Sequence, residues 1–327
     1  MTEPFRDYTS FSKKALAGET LTKEEAFSIL KSPDETLPLL LDAAFEVRQK
    51  YHGKRVKVCM LMNIQSGLCP EDCNYCSQSS VSSAEIEKYP LLTKERILAN
   101  AAQAHQAGAK RFCMVASGRG PTDKEIQLLS DVTKEIRSLY PLEICCSLGI
   151  MDERKAERLK EAGVGWVNHN LNTSERYYSS ICTTHTYADR VRTVENVEKA
   201  GLSTCSGGIL GMGEKPEDIV ELAFKVREMD IDSIPINFLH PIEGTPLSQT
   251  DYLTPEMALK ILCLFRFLNP EKEIRVAGGR ERTLKDKQGL ALYAANSIFI
   301  EGYLTTPGQK AEEAYTLIES MGFEIEK

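Results

Sequence analysis

The sequence predicts an α/β fold, a (β/α)8 barrel of the TIM type with a short helical extension at its N-terminus. Three observations carry this. From residue 56 onward, short apolar runs alternate with amphipathic helical segments, which implies a parallel sheet with right-handed crossovers. The alternation repeats eight times over about 265 residues, roughly thirty per unit, which suits a barrel by count and length. No Pro-, Gly- or Ser-rich linker divides the chain, and no segment is of low complexity. An open, doubly wound sheet is the alternative that counting alone leaves.

Residues 1–54 read as the helical extension and 55–327 as the barrel. In LTKEEAFSILKS, Thr22 is an N-cap, and DETLPLLLDAAFEVRQKYHG ends at Gly53. The first barrel strand is VKVCMLMN, 56–63, and its helix is 93–109, stopped by Gly108. Strand 111–117 precedes helix 123–139, and strand 142–149 precedes helix 152–162, which ends at Gly163. Strand 165–171 is followed by helix 186–200, closed by Gly201, and strand 203–210 by helix 216–229. Strand 233–239 leads to a helix from Thr254 to about Leu268, in which Cys263 fits as a small hydrophobe. Strand 273–279 leads to helix 284–295, and strand 297–302 to the last helix, 308–321.

Bulk properties narrow the function. The chain has 327 residues and a net charge of −7, with acidic and basic side chains interspersed. It lacks the basic stripe of a nucleic-acid binder. Apolar runs such as LPLLLDAAF are too short to span a bilayer, and MTEPFRDYTSFSKK lacks the apolar region of a secretion signal. The expectation is a cytoplasmic protein with no membrane partner. Ten cysteines are many for that compartment, where disulfides are rare. Such cysteines serve as metal ligands, catalytic groups or buried hydrophobes.

GLCPEDCNYCSQSS, 67–80, places Cys69, Cys73 and Cys76 at C-x3-C-x2-C directly after the first strand. In a barrel this is the face that carries active groups. Three thiolates hold three corners of a [4Fe–4S] cube and leave the fourth iron open to a chelating ligand. A zinc site completed by a distant cysteine or histidine, or thiols buried for packing, are the other readings. With Tyr75 before the third cysteine, the motif resembles the signature of the radical S-adenosylmethionine (SAM) superfamily. There the amine and carboxylate of SAM chelate the open iron, and one electron from the cube yields a 5′-deoxyadenosyl radical.

Three further cysteines sit mid-strand at similar depth: Cys113, either Cys145 or Cys146, and Cys205; Arg275 sits likewise in the seventh strand. Adjacent Cys145 and Cys146 face opposite ways, so only one joins. Any one of these is often core filler. A buried guanidinium, however, needs an anionic partner, which a thiolate-bound cluster provides. Cys59, Cys182 and Cys263 read as structural.

From about Val56 to Gly308 the chain resembles the biotin synthase family. The matching stretches are GLCPEDCNYCSQSS, RFCM, SLG, NHNLNTS, TTHTY, CSGGILGMGE, IPINFL, GTPL, AGGRE and ANSIF–TTPG. The resemblance implies a [2Fe–2S] cluster on Cys113, Cys145, Cys205 and Arg275. Cys145 is chosen because the family's ligand stands four residues before the glycine that is Gly149 here.

Asn168 and Asn170 share a strand face, His169 takes the other, and Asn237 lies at similar height. Their amides suit a cyclic urea, since each donates and accepts. In the resembled family Asn168, Asn170 and Asn237 border the ureido ring of dethiobiotin. Asn170 and residue 172, with Tyr75, lie on the SAM side. Residue 172 is Asn where many members carry Asp. GGILGMGE resembles the adenine-contacting segment and brings in Gly208 and Ile209.

The resemblance further implies sulfur insertion into dethiobiotin, with the inner cluster as sulfur donor and no general base for hydrogen abstraction. It also implies a flavodoxin or ferredoxin reductant, iron–sulfur assembly proteins as partners, and a homodimer. The rivals are another radical SAM enzyme, an isomerase or hydrogenase-cofactor maturase lacking the inner set, and a zinc or redox-sensing module.

Overall fold

The run at 56–63 becomes β1, Arg55–Gln65, and every later element is placed relative to it. This computed structural model describes residues 8–250 and 253–326, so residues 1–7 of the expected extension lie outside it. Three helices precede β1: α1 (Thr9–Leu16), α2 (Lys23–Leu30) and α3 (Leu37–His52). Then follow α4 (Lys94–Gln106), β2 (Arg111–Ala116), α5 (Asp123–Leu139), β3 (Glu143–Ser147), α6 (Glu153–Ala162) and β4 (Trp166–Asn168). Next come α7 (Glu175–Tyr178), α8 (Tyr187–Lys199), β5 (Ser203–Cys205), β6 (Gly208–Leu210), α9 (Pro216–Glu228) and β7 (Ser233–Phe238). The chain ends with α10 (Pro255–Leu268), β8 (Glu273–Val276), α11 (Arg280–Leu284), β9 (Ser297–Ile300), α12 (Ala311–Ser320) and β10 (Glu324–Ile325).

All barrel pairings are parallel. They run β1 to β5, then β5 and β6 to β7, then β8 and β9. β9 returns to β1 with Lys57 opposite Ser297 and Met60 opposite Ile300, which closes the ring and excludes the open sheet. Outward side chains of β1 (Val58, Met60, Met62, Ile64) join one apolar core with the surrounding helices. The helices start where the sequence signals them. Thr22, Thr122 and Thr186 form reciprocal capping boxes with Glu25, Glu125 and Asp189. Thr254 accepts from Met257 N at the start of α10.

The helices before β1 pack on α10, whose residues Ala258–Leu268 are all buried. A helix apolar all round is a buried helix. Its one buried lysine, Lys260, reaches Asp34 at 2.5 Å and so fixes the extension to the barrel.

Two expected elements differ and two small ones are added. The strand at 203–210 splits into β5 and β6. Ser206 N donates to Ser233 O at 2.9 Å, so the parallel ladder calls for residue 235 to donate back to Ser206 O, and Pro235 has no N–H. The helix expected at 284–295 is instead a 3-10 stretch, Lys285–Tyr293, separated from the preceding α11 where Lys285 adopts φ 52° and breaks the α ladder. Two small additions were not foreseen: α7, capped by Ser174, and β10, which pairs with the start of β1.

Candidate cluster and substrate site

Side chains at alternate positions of the strands stack in layers inside the barrel. The lowest is ionic. Arg111 meets Glu273 through two bonds of 3.0 Å and Glu143 through Nε at 2.9 Å. Lys57 Nζ lies 3.1 Å from Glu143 and 3.8 Å from Glu273. The Arg111 guanidinium stands 3.8 Å from the Trp166 ring centroid. Burial opposes a charge on Glu273, but Arg275, Arg111 and Lys57 outweigh it and hold its carboxyl well below the usual range.

The next layer holds thiols. Cys113 and Cys145 are register partners on β2 and β3 and pack together in the barrel interior. Cys146 points the other way, into the core beneath the helices. Cys205 is buried on β5 and accepts from Asn168 Nδ2 at 3.2 Å. Arg275 is 1 % exposed. Its Nε donates to Ser297 Oγ and its Nη2 to Ser233 Oγ, both at 3.1 Å, and Nη1 faces Cys205 Sγ at 3.8 Å. The sequence reading looked to an anionic cluster to balance this arginine. The structure also gives it a carboxylate, Glu273, in a close ion pair from two residues earlier on the same strand face. A hydrogen bond to Cys145, and then burial, push the Cys113 thiol up. A metal binding at Cys113 would displace its thiol proton.

The outer thiols sit on the loop after β1, where Cys69, Cys73 and Cys76 all line the mouth of the cavity. Burial raises the Cys69 thiol and pushes Cys76 up to about 11. The loop is tied to the segment after α7. Asp72 accepts from Thr183 N at 2.9 Å and Thr184 N at 3.1 Å, and Asn74 N donates to Ile181 O at 2.9 Å. Glu71 lies 2.5 Å from His185 Nδ1 and 3.1 Å from Arg119.

Cys182, read as structural, belongs to this arrangement. Its Sγ is 3.8 Å from Cys73 and 3.3 Å from His185 Nδ1, so Cys73, Cys182 and His185 converge as metal-type donors. A distant cysteine and histidine therefore do reach the motif, as the zinc alternative required. Yet Cys69 and Cys76 fall outside that trio, and Cys182 does not line the cavity. The thiols that face inward are the three of the motif, a donor set that fits a cube with one corner turned to the cavity.

Between the two thiol layers lie the amides. Asn168 Nδ2 donates to Asn170 Oδ1 at 3.2 Å, and Ser147 Oγ donates to Asn168 Oδ1 at 3.3 Å. Asn237 is held by backbone on both sides, donating to Gly208 O and accepting from Gly278 N at 3.0 Å each. Asn172 takes a left-handed φ of 72°, which asparagine tolerates better than most residues, and its Nδ2 donates to Tyr75 Oη at 2.7 Å. Ile209 faces the cavity, whereas Gly208 is set back from it. A Cβ on Gly208 would stand 2.9 Å from Asn172 O and 2.4 Å from Leu222, so this glycine permits close backbone packing. Glu214 organises the glycine segment by accepting from Gly211 N and Met212 N at 2.7 and 2.8 Å.

His169, expected on the helix-facing side, contributes to the cavity wall, and its buried Nε2 has no protein partner. Burial first, then Arg190, hold it well below the usual imidazole range, hence neutral. Arg190 itself anchors the strand end by donating to Asn170 O at 2.7 Å. Arg190 escaped the sequence reading; the quoted TTHTY stretch contains His185, but nothing in it pointed to Cys73.

One cavity of about 380 Å³ joins all of this. It is lined by the outer cysteines at its mouth, by Asn168, Asn170, Asn172 and Asn237 at its waist, and by Cys113, Cys145 and Arg275 deeper in. Comparisons with known proteins agree with the layout. Residues 63–226 match the model of the Radical SAM superfamily, and 235–324 that of the Biotin and Thiamin Synthesis associated domain. Among solved structures, methylornithine synthase (PylB) superposes with a TM-score of 0.85 at 22% identity over 97% of both chains, a likeness of fold. The chain is 52% identical to biotin synthase of Lysinibacillus sphaericus, over 98% of this chain and 96% of that one. It is 53% identical to that of Geobacillus kaustophilus, strain HTA426, over 96% and 95%. The Bacillus subtilis (strain 168) biotin synthase is 50% identical over 98% and 95%. With half of all positions shared along nearly the whole length, and thiols, amides and arginine arranged around one cavity, the chain belongs to the biotin synthase family.

Proposed function

We propose that the chain inserts sulfur into dethiobiotin to form biotin, with SAM, a [4Fe–4S] cluster on Cys69, Cys73 and Cys76, and an inner [2Fe–2S] cluster on the buried thiol layer. The observation that carries this reading is the stacking of two separate thiol sets along one cavity with amides between them. When bound, the outer cluster and SAM supply the radical that abstracts hydrogen, and the inner cluster supplies the sulfur.

The chain's own part is placement and exclusion. Cys69, Cys73 and Cys76 would hold the outer cluster by three of its irons, leaving one free to take SAM. Asn168, Asn170 and Asn237 offer donors and acceptors that complement a ureido ring. Tyr75, Asn172 and Ile209 line the side nearest the outer loop, where the nucleoside would lie, and Gly208 lets the backbone there run close. The ionic floor of Lys57, Arg111, Glu143 and Glu273 closes the barrel below, and a dry interior protects a radical from quenching.

Division into an extension, 1–54, and a barrel, 55–327, belongs to this proposal. So do a flavodoxin or ferredoxin reductant, iron–sulfur assembly partners, a homodimer and a cytoplasmic location. Among the described residues, no helix is long and apolar enough to cross a membrane. The test is an anaerobic incubation of the reconstituted chain with dethiobiotin, SAM and a low-potential reductant, with biotin read by mass. Biotin formation that is lost in Cys69→Ser, Cys73→Ser or Cys76→Ser is the expected result. Release of 5′-deoxyadenosine without biotin, with both clusters loaded, would assign the chain to a different radical SAM reaction.

A further inference from the structure

We infer that the chain, before any cluster is in place, binds a zinc-class divalent cation between Cys73, Cys182 and His185, and that this occupant excludes the outer cluster. All three side chains are buried, and their donor atoms lie within 4.8 Å of one another. Cys73 and His185 also line the cavity, whereas Cys182 stands behind its wall. The two segments that supply them are already fastened together. Asn74 N donates to Ile181 O at 2.9 Å and Asn74 Nδ2 to Ser180 O at 3.1 Å, while Asp72 accepts from Thr183 N and Thr184 N. Little ordering therefore remains for a cation to impose.

The spacing suits a tetrahedral metal. With metal–sulfur bonds of about 2.3 Å, two sulfurs on one tetrahedral ion stand about 3.8 Å apart. Cys73 Sγ and Cys182 Sγ are 3.8 Å apart. Sulfur and imidazole nitrogen on such an ion stand about 3.5 Å apart. His185 Nε2 lies 3.8 Å from Cys182 Sγ. Nδ1 is nearer, at 3.3 Å, but Glu71 engages it at 2.5 Å. That bond puts the ring proton on Nδ1 and leaves Nε2 as the ligand atom, with a carboxylate supporting a metal-bound histidine. Two sulfurs and an imidazole suit zinc and not magnesium or calcium. Water takes the fourth place, as in zinc sites with three protein ligands. On binding, the two thiols release their protons to solvent, the two thiolates offset the cation's charge, and no oxidation state changes. Thr183 and Thr184, next along the chain, are exposed and give the cation its way in.

Cys73 belongs to both donor sets, and Cys69 and Cys76 lie outside the trio. A sulfur held on the Cys182 side does not serve a cube on the cavity side. This exclusion rests on the outer cluster proposed above; the cation site itself does not.

The test uses the full chain, stripped of metal and kept reduced under anaerobic conditions. Cobalt(II) is titrated in, and its thiolate charge-transfer absorption is followed and then displaced with zinc(II). Cys182→Val is expected to bind one equivalent fewer than wild type, and Cys69→Ser as many as wild type. Glu71→Gln weakens that equivalent by about 10–100-fold. Cys182→Val that still takes up the outer cluster and cleaves SAM is folded. In the second arm, zinc(II) added first slows uptake of the outer cluster by wild type and not by Cys182→Val. If Cys182→Val binds as many equivalents as wild type, or if Cys69→Ser loses the one that Cys182→Val keeps, the cation sits on the motif alone and the assignment is wrong. If zinc(II) leaves wild-type uptake unchanged, the exclusion is wrong. A chain that binds the cation in this way but forms no biotin would refute the proposed reaction and leave the site standing.

Discussion

Glu273 shows how much one buried side chain controls. It accepts from Arg111 twice, pairs with Arg275 and receives Ser233 Oγ at 3.1 Å. Glu273→Gln leaves two buried guanidiniums short of a counter-charge. The expected loss is about 3–5 kcal/mol in denaturant unfolding, the usual cost of breaking a buried pair from one side. A loss under about 1 kcal/mol would show that water or Glu143 compensates instead. At this scale the sequence was legible where residue type alone carries chemistry: the C-x3-C-x2-C motif, the strand cysteines and the asparagines. It was silent on Glu273 and read Cys182 as merely structural. Nothing about a glutamate at a strand start says that three cations converge on it, and a cysteine 106 positions after Cys76 declares no partner. Those facts arise from ring closure and from the loop after α7, neither of which has a local signature.

Among elements, the β5–β6 interruption is the informative one. Pro235 removes the donor that would join the two strands, and the backbone of β7 then runs close to Gly207. A Cβ on Gly207 would meet Pro235 O at 2.0 Å. Gly207→Ala is therefore expected to destabilise the chain by at least ~2 kcal/mol through forced separation of these strands. It also displaces Asn170, whose Oδ1 accepts from Gly207 N at 3.2 Å. The measurement is a denaturant midpoint beside SAM affinity, and unchanged values for both would refute the packing argument. The eight-fold alternation and most helix starts were readable because capping boxes and stop glycines are local. The split strand was not, because the missing donor lies on a neighbouring strand.

For the molecule as a whole, buried titrating groups set the acid limit. His169 is kept neutral, so its folded pKa lies below the unfolded value of about 6.5. Below that pH the unfolded chain binds a proton that the folded chain refuses. Stability then falls by about 1.4 kcal/mol per pH unit for this group. Glu273 acts lower down. Its folded pKa is depressed, so its contribution is present above about 4.3 and disappears as pH falls below that. Unfolding free energy of the unloaded chain should thus decline in two stages between pH 7 and 3, and His169→Gln should make the first less steep, the rest of it coming from His52, which burial pushes down to about 3. A stability constant from pH 7 to 5 would contradict it.

The sealed ionic base has one more implication. With Lys57, Arg111, Glu143 and Glu273 filling the far end, the cavity is approached from the rim that carries the outer cysteines. On the proposed assignment, iron and sulfide bound for the deep layer would pass the berth where nucleotide and substrate would dock. Restocking and turnover would then take turns, and a chain gripping its small molecules would be shut to repair until it lets them go.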